Sequence, residues 1–215
     1  MRLLFIGDSI TDMRRDRNAD HTVYSYGNGY VFPIEGYLGL KFPQKYEILN
    51  RGISGNRIVD IYQRIKIDCW NLNPDVVTIL VGANDVYHEV KYGNGVELDR
   101  YERFYNMIIE DTKKALPNAE IIIMGSFVTL GAETENAFEK MSEIKDYASI
   151  AQKVALSHGC RYISLQDKFD ILTKDAPVDY YISDGIHPTA VGAHVIAREW
   201  LTEFGKMEGF IVNND

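Results

Sequence analysis

Ser9 follows Gly7-Asp8 at the end of the first apolar run, and Asp184 stands three residues before His187 near the other end of the chain. A serine hydroxyl attacks a carbonyl near pH 7 only when a positioned base takes its proton. Imidazole is the side chain suited to that task. A carboxylate three residues earlier can reach the ring across one tight turn, fixing its tautomer and stabilising the imidazolium. Gly7 permits a sharp turn that lifts the Ser9 hydroxyl from the sheet edge. Acyl transfer also needs donors for the oxyanion. The chain offers the Ser9 N–H, the Gly55 N–H and the Asn84 amide, each beyond a different apolar run. Singly these are ordinary: Gly-Asp-Ser suits a turn or cap, Asp-x-x-His a cap, and Gly55-Asn56 and Asn84-Asp85 a turn and another cap. Their shared location is what carries the reading.

Short apolar runs at residues 3–6, 46–49, 76–81, 121–124 and 162–165 alternate with amphipathic stretches. Several are continuously apolar, as expected of strands covered on both faces. Ile58, Ile61, Ile65 and Cys69 repeat at helical spacing; so do Tyr101, Phe104, Ile108, Thr112 and Leu116, and then Phe138, Met141, Ile144, Ala148, Ala151 and Ala155. Asp99 with Glu102 reads as a capping pair, Pro117 closes that helix, and Gly159 follows the next. Pro188 is expected as the first residue of a final helix through Val191, Val195 and Leu201. Strand–helix alternation throughout predicts one domain over residues 1–215, a doubly wound parallel α/β sheet. Ligands in such sheets bind beyond the carboxyl ends of the strands. The polar residues to inspect are therefore Gly7-Asp8-Ser9, residues 51–56, Gly82-Ala83-Asn84-Asp85, and Ser126 onward.

Gly7-Asp8-Ser9-Ile10, Gly55, Gly82-Ala83-Asn84-Asp85 and Asp184-Gly185-Ile186-His187 together resemble the four ordered blocks of the SGNH, or GDSL-type, hydrolases. The resemblance covers residues 2 to about 204. It implies a three-layer α/β/α sandwich, flavodoxin-like, on a five-stranded parallel sheet. It implies Ser9 as nucleophile, His187 as base and Asp184 as its orienting acid, with Ser9, Gly55 and Asn84 as the oxyanion hole. Residues 4–12, 27–31, 51–56 and 84–87 also look like the intracellular acetylxylooligosaccharide esterases, which remove acetyl groups from short xylan fragments. Ser183 stands where those enzymes are expected to carry an aromatic residue. The G-x-S-x-G elbow of the other large α/β-hydrolase group is absent.

The 215 residues carry a net charge of −8, and the one dense basic run, Met13-Arg14-Arg15-Asp16-Arg17, is diluted by Asp12, Asp16 and Asp20. That run reads as a mobile surface loop, and nucleic acid is not an expected partner. No apolar run nears the roughly 18–20 residues of a membrane span. Nor does the N-terminus resemble a secretory leader. Cys69 and Cys160 read as reduced, buried thiols of a cytoplasmic protein. Asp8 is expected to bond backbone N–H groups, and Asp85 to hold the Asn84 loop. Tyr30 and Tyr37 are expected to line a helix face, although the aromatic stretch from Tyr24 could also stack on sugar. His194 reads as packing, and His21, His88 and His158 as surface positions. The histidines build no metal site, and no cofactor is required.

The expected activity is hydrolysis of short-chain, acetyl esters through a covalent acyl-enzyme. The segments at 88–98 and 129–136 are read as polar loops, which suit a small acyl group rather than a long apolar channel. A thioesterase or lysophospholipase on the same triad, or a catalytically silent binding module, remains open. The expected partner is a small-molecule ester, an acetylated saccharide by resemblance. A homo-oligomer stays open, because close relatives assemble.

Overall fold

A computed structural model of the chain describes residues 1–19 and 21–212. Five strands form one parallel sheet: β1 (Arg2–Gly7), β2 (Glu47–Gly52), β3 (Val76–Leu80), β4 (Glu120–Met124) and β5 (Arg161–Ile163). Their order is β2-β1-β3-β4-β5, the flavodoxin-like arrangement, and every pairing is parallel. β1 and β3 are buried almost end to end, as continuously apolar runs require when helices cover both faces.

The helices are α1 (Ser9–Asp12), α2 (Val31–Lys41), α3 (Ile58–Asp68), α4 (Ala83–Tyr92), α5 (Leu98–Ala115), α6 (Phe138–Met141), α7 (Ile144–Ser157), α8 (Leu165–Leu172), α9 (Val178–Tyr181) and α10 (Ala190–Glu208). α5 packs between α3 and α7, while α10 packs on α2. Among the described residues no helix is long and apolar enough to cross a membrane.

Two pairings set the stage for the site. Gly7 lies opposite Gly52 on β2 and Leu80 on β3, so these three strands end level. The segments that follow, carrying Ser9, Gly55 and Asn84, therefore emerge along one sheet edge. The fourth segment arrives through α10. Its buried Trp200 donates to Thr78 Oγ1 of β3 at 2.8 Å and packs against Phe5 and Phe204. That anchor holds the preceding residues, His187 among them, over the same edge.

Several helix boundaries differ from the sequence reading. Pro188 lies outside α10, bridged to Ile182; the cap is Thr189, whose Oγ1 accepts from the Gly192 N–H. Glu97, not Asp99, precedes α5, and Asp99 instead pairs with Arg103 one turn on. The long periodic stretch from Phe138 breaks at Ser142–Glu143 into α6 and α7. Residues 88–92, read as loop, continue α4 as far as Gly93, where the chain turns left-handed. Asp20 and the tail residues 213–215 lie outside the described residues.

Candidate active site

Ser9 opens α1, directly after Asp8, whose Oδ1 accepts from the Ile10 N–H at 2.9 Å and so caps the turn. This leaves the Ser9 side chain half-exposed above β1, with its Oγ 2.8 Å from His187 Nε2. His187 Nδ1 lies 2.7 Å from Asp184 Oδ2. Asp184 Oδ1 takes two backbone N–H groups, from Ile186 at 2.9 Å and His187 at 2.7 Å. Burial works against its charge, but the bonds from His187 and Ile186 outweigh this and hold its carboxyl down at about 2. An ionised carboxylate only accepts, so Nδ1 carries the ring proton and the Nε2 lone pair faces the Ser9 hydroxyl. Donating a hydrogen bond to the Asp184 carboxylate raises the His187 pKa above its ordinary value, partly offset by burial.

The loop carrying this pair is over-determined. The Ser183 N–H and hydroxyl both donate to the His187 carbonyl, so Ser183 closes the turn on itself. Thr129 N–H bonds Gly185 O, and Glu133 N–H bonds Asp184 O, which ties the 129–136 segment to the loop from behind. Gly185 has φ +101°, and an added Cβ would meet Thr129 O at 2.7 Å, so only glycine fits there.

The donor candidates share the edge. Gly55 (φ +82°) turns the chain left-handed after β2. Among the described residues neither its N–H nor that of Ser9 donates to a protein acceptor, which leaves both available to a ligand. Asn84 lies in the first turn of α4, and its Nδ2 donates to Asn56 O at 3.2 Å, orienting the amide beside the Gly55 turn. Asp85 anchors both helices by accepting from the Ile58 N–H at the start of α3; burial pushes its carboxyl well above the ordinary range. A serine–imidazole–carboxylate chain flanked by free N–H donors can add to an acyl carbon and hold the resulting oxyanion.

The family model described as the GDSL-like Lipase/Acylhydrolase family matches residues 5–195. The chain belongs to this family. It is an ester hydrolase. The acetylxylan esterase of Geobacillus stearothermophilus is 30% identical over 210 residues, covering 95% of this chain and 94% of that protein. Its crystal structure matches with a TM-score of 0.84. A candidate GDSL-like lipase from Parabacteroides merdae is 34% identical over 95% of each chain, with a TM-score of 0.89. An α/β hydrolase from the metagenome of Lake Arreo is 27% identical over 95% of this chain and 94% of that one, with a TM-score of 0.84.

Beside the family blocks, the structure reveals supporting residues that spacing did not suggest. Arg64 of α3 donates to Gly7 O, Arg51 O, Asn56 Oδ1 and Asp68 Oδ2, and so joins the ends of β1 and β2 to the Gly55 turn. Its sequence trace is slight: a charge four residues before Asp68 reads as a solvated helical ion pair. Arg64→Ala is expected to cost about 2–3 kcal/mol of stability, since several acceptors lose a charged donor. It is also expected to lower kcat/KM about tenfold by loosening the Gly55 turn. Denaturant unfolding and steady-state kinetics check both, and Arg64→Lys should recover only part, because an ammonium cannot reproduce the fork.

Asp12 is buried. It accepts from the Ser54 N–H at 2.9 Å and from Arg17 Nη2 at 2.6 Å. Arg15 Nε bonds Gly52 O at 2.9 Å. The basic run, tied down at Asp12 and at the Gly52 carbonyl, forms one wall of a cleft of about 830 Å³ that also contains Ser9, Asp184 and His187.

Other sequence-based expectations divide. Asp8 bonds the Ile10 backbone N–H as expected, and its burial lifts its carboxyl to about 6. Tyr30 is fully buried, and Tyr37 packs against the core. His194 is exposed rather than packed. His88 is half-buried against Tyr92 and close to Gly55, and His158 bonds Asn106 Oδ1. Ser126 is buried beneath Gly82 instead of facing the cleft. Cys69 is buried as expected, whereas Cys160 is only half-buried; neither forms a disulfide.

Proposed function

We propose that the protein removes acetyl groups from acetylated xylo-oligosaccharides or similar sugars through a covalent acetyl-enzyme on Ser9. The observation that carries this reading is the unbroken chain from Ser9 Oγ through both ring nitrogens of His187 to Asp184, at 2.8 and 2.7 Å. Ser9 Oγ adds to the acetyl carbonyl carbon as its proton passes to His187 Nε2. The N–H groups of Ser9 and Gly55 and the Asn84 amide receive the oxyanion, each donor being worth about 3–4 kcal/mol in the transition state. Collapse breaks the bond to the sugar oxygen, which takes the proton from His187. Water, deprotonated by the same nitrogen, then attacks the acetyl-Ser9 carbonyl and releases acetate. The steps use side chains and backbone of this chain alone.

The acetyl preference and the sugar alcohol draw support from the similarity to the Geobacillus acetylxylan esterase. The cleft wall supports the sugar alcohol too: Arg14, Asp16, Arg17 and Asn18 place charged and amide groups along it. A single domain over residues 1–215 belongs to the same reading, supported by one sheet and one contiguous core. So does a cytoplasmic location, which the two free thiols suit.

Nitrophenyl esters of increasing chain length test the acyl group. Activity should be highest on acetyl and fall at least tenfold by octanoyl; activity rising with length would favour the lysophospholipase or thioesterase reading. Release of acetate from acetylated xylo-oligosaccharides then tests the alcohol.

A further inference from the structure

We propose that the cleft around Ser9 continues over the Arg14 lip onto a second sugar-binding subsite built on Tyr24 and Phe32, so that the enzyme acts on chains rather than single sugars. This rests on the saccharide reading above. An acetyl group fills little of the main cleft, so most of that space serves the alcohol part of the ester. Next to it lies a hollow of about 310 Å³ lined by Val23, Tyr24 and Phe32 together with Arg14, Asp16 and Asn28. The last three also line the cleft holding Ser9 and His187, so the two hollows meet along a common border.

The lining has the chemistry of a pyranose site. Tyr24 is 71% exposed and Phe32 48% exposed, which offers aromatic surface to the C–H face of a sugar ring. Arg14, Asp16 and Asn28 supply donors and acceptors for the hydroxyl edge. The lip itself is held in shape. Met13 (φ 35°) and Arg14 (φ 62°) are consecutive non-glycine residues in the left-handed region, a costly arrangement that persists only where surroundings fix it. Asp16 N–H bonds Tyr24 O at 2.8 Å and Asn28 N–H bonds Met13 O at 2.8 Å, so the lip and the aromatic shelf form one unit. Neither Tyr24 nor Phe32 contributes to the buried core, which leaves their exposure without a folding role.

The test compares wild type with a Tyr24→Ala/Phe32→Ala double variant on acetylated xylose, acetylated xylotetraose and 4-nitrophenyl acetate. Wild type should favour the tetrasaccharide over the monosaccharide in kcat/KM. The double variant should lose about three- to tenfold on the tetrasaccharide beyond any loss on 4-nitrophenyl acetate, mainly through KM. An equal loss on all three substrates, or none on the tetrasaccharide, would overturn the subsite. A fall in molar mass by light scattering without altered chain preference would also overturn it, marking the patch as a contact between copies. If wild type cleaved 4-nitrophenyl acetate but neither sugar, the saccharide reading itself would fail, and that result is separable from the others.

Discussion

Replacing Ser9 by alanine is expected to lower kcat on 4-nitrophenyl acetate by about 10⁵- to 10⁶-fold. The size follows from the geometry. Among the described residues the Ser9 hydroxyl bonds only His187, and no other hydroxyl bonds that ring nitrogen. The substitution leaves the Ser9 N–H in place, so the oxyanion donors survive and a small residual rate over water should remain. The fold should be indifferent. The side chain is half-exposed, and α1 is capped by Asp8, not by Ser9. The change in unfolding free energy should stay within about 1 kcal/mol, checked by denaturant titration. A purified, folded variant retaining wild-type turnover would remove Ser9 from the chemistry.

Asp184→Asn should lower kcat by about 10³- to 10⁴-fold, less than loss of the nucleophile. An asparagine oxygen can still accept from the Ile186 and His187 N–H groups that Asp184 Oδ1 serves now. Its NH₂ would then point at His187 Nδ1, forcing the proton onto Nε2 and turning the acceptor for Ser9 into a donor. The pH profile carries a second signature. Activity needs neutral His187, and Asp184 raises its pKa, so wild-type kcat/KM should climb with a midpoint above the ordinary imidazole value of about 6.5. Asp184 itself, held at about 2, stays ionised across that range. Removing its charge should move the midpoint downwards. An unchanged midpoint would mean that Asp184 does not sense the ring.

The sheet was legible because it rests on short-range rules, and the candidate site because Gly7-Asp8-Ser9, Gly55, Asn84 and Asp184-Gly185-Ile186-His187 resemble ordered blocks of a known family. Continuous apolar runs mark strands buried on both faces, and the β-strand ends then fix where Ser9, Gly55 and Asn84 must emerge. Asp184 and His187 are three apart, within reach of one turn. What the sequence hid depends on contacts between distant segments. Arg64 reads as a solvated helical charge until the ends of β1 and β2 are brought beneath it. The anchoring of the basic run around Arg15 depends on Asp12 and on the Gly52 carbonyl at the end of β2, which its own spacing does not announce. Thr189 replaced Pro188 as the opening of α10 because Pro188 was already engaged in the bridge to Ile182. His88, half-buried beside Gly55, belongs to the same class: nothing in its neighbours along the chain announces what it touches.

The most direct examination of the central claim is the reaction of the folded protein with a fluorophosphonate, followed by intact-mass and peptide mass spectrometry. One adduct per chain, on the peptide containing Ser9, and a labelling rate that rises along the same pH limb as kcat/KM are the expected results. An active enzyme that takes up no label, or takes it on another residue while Ser9 stays free, would contradict the account.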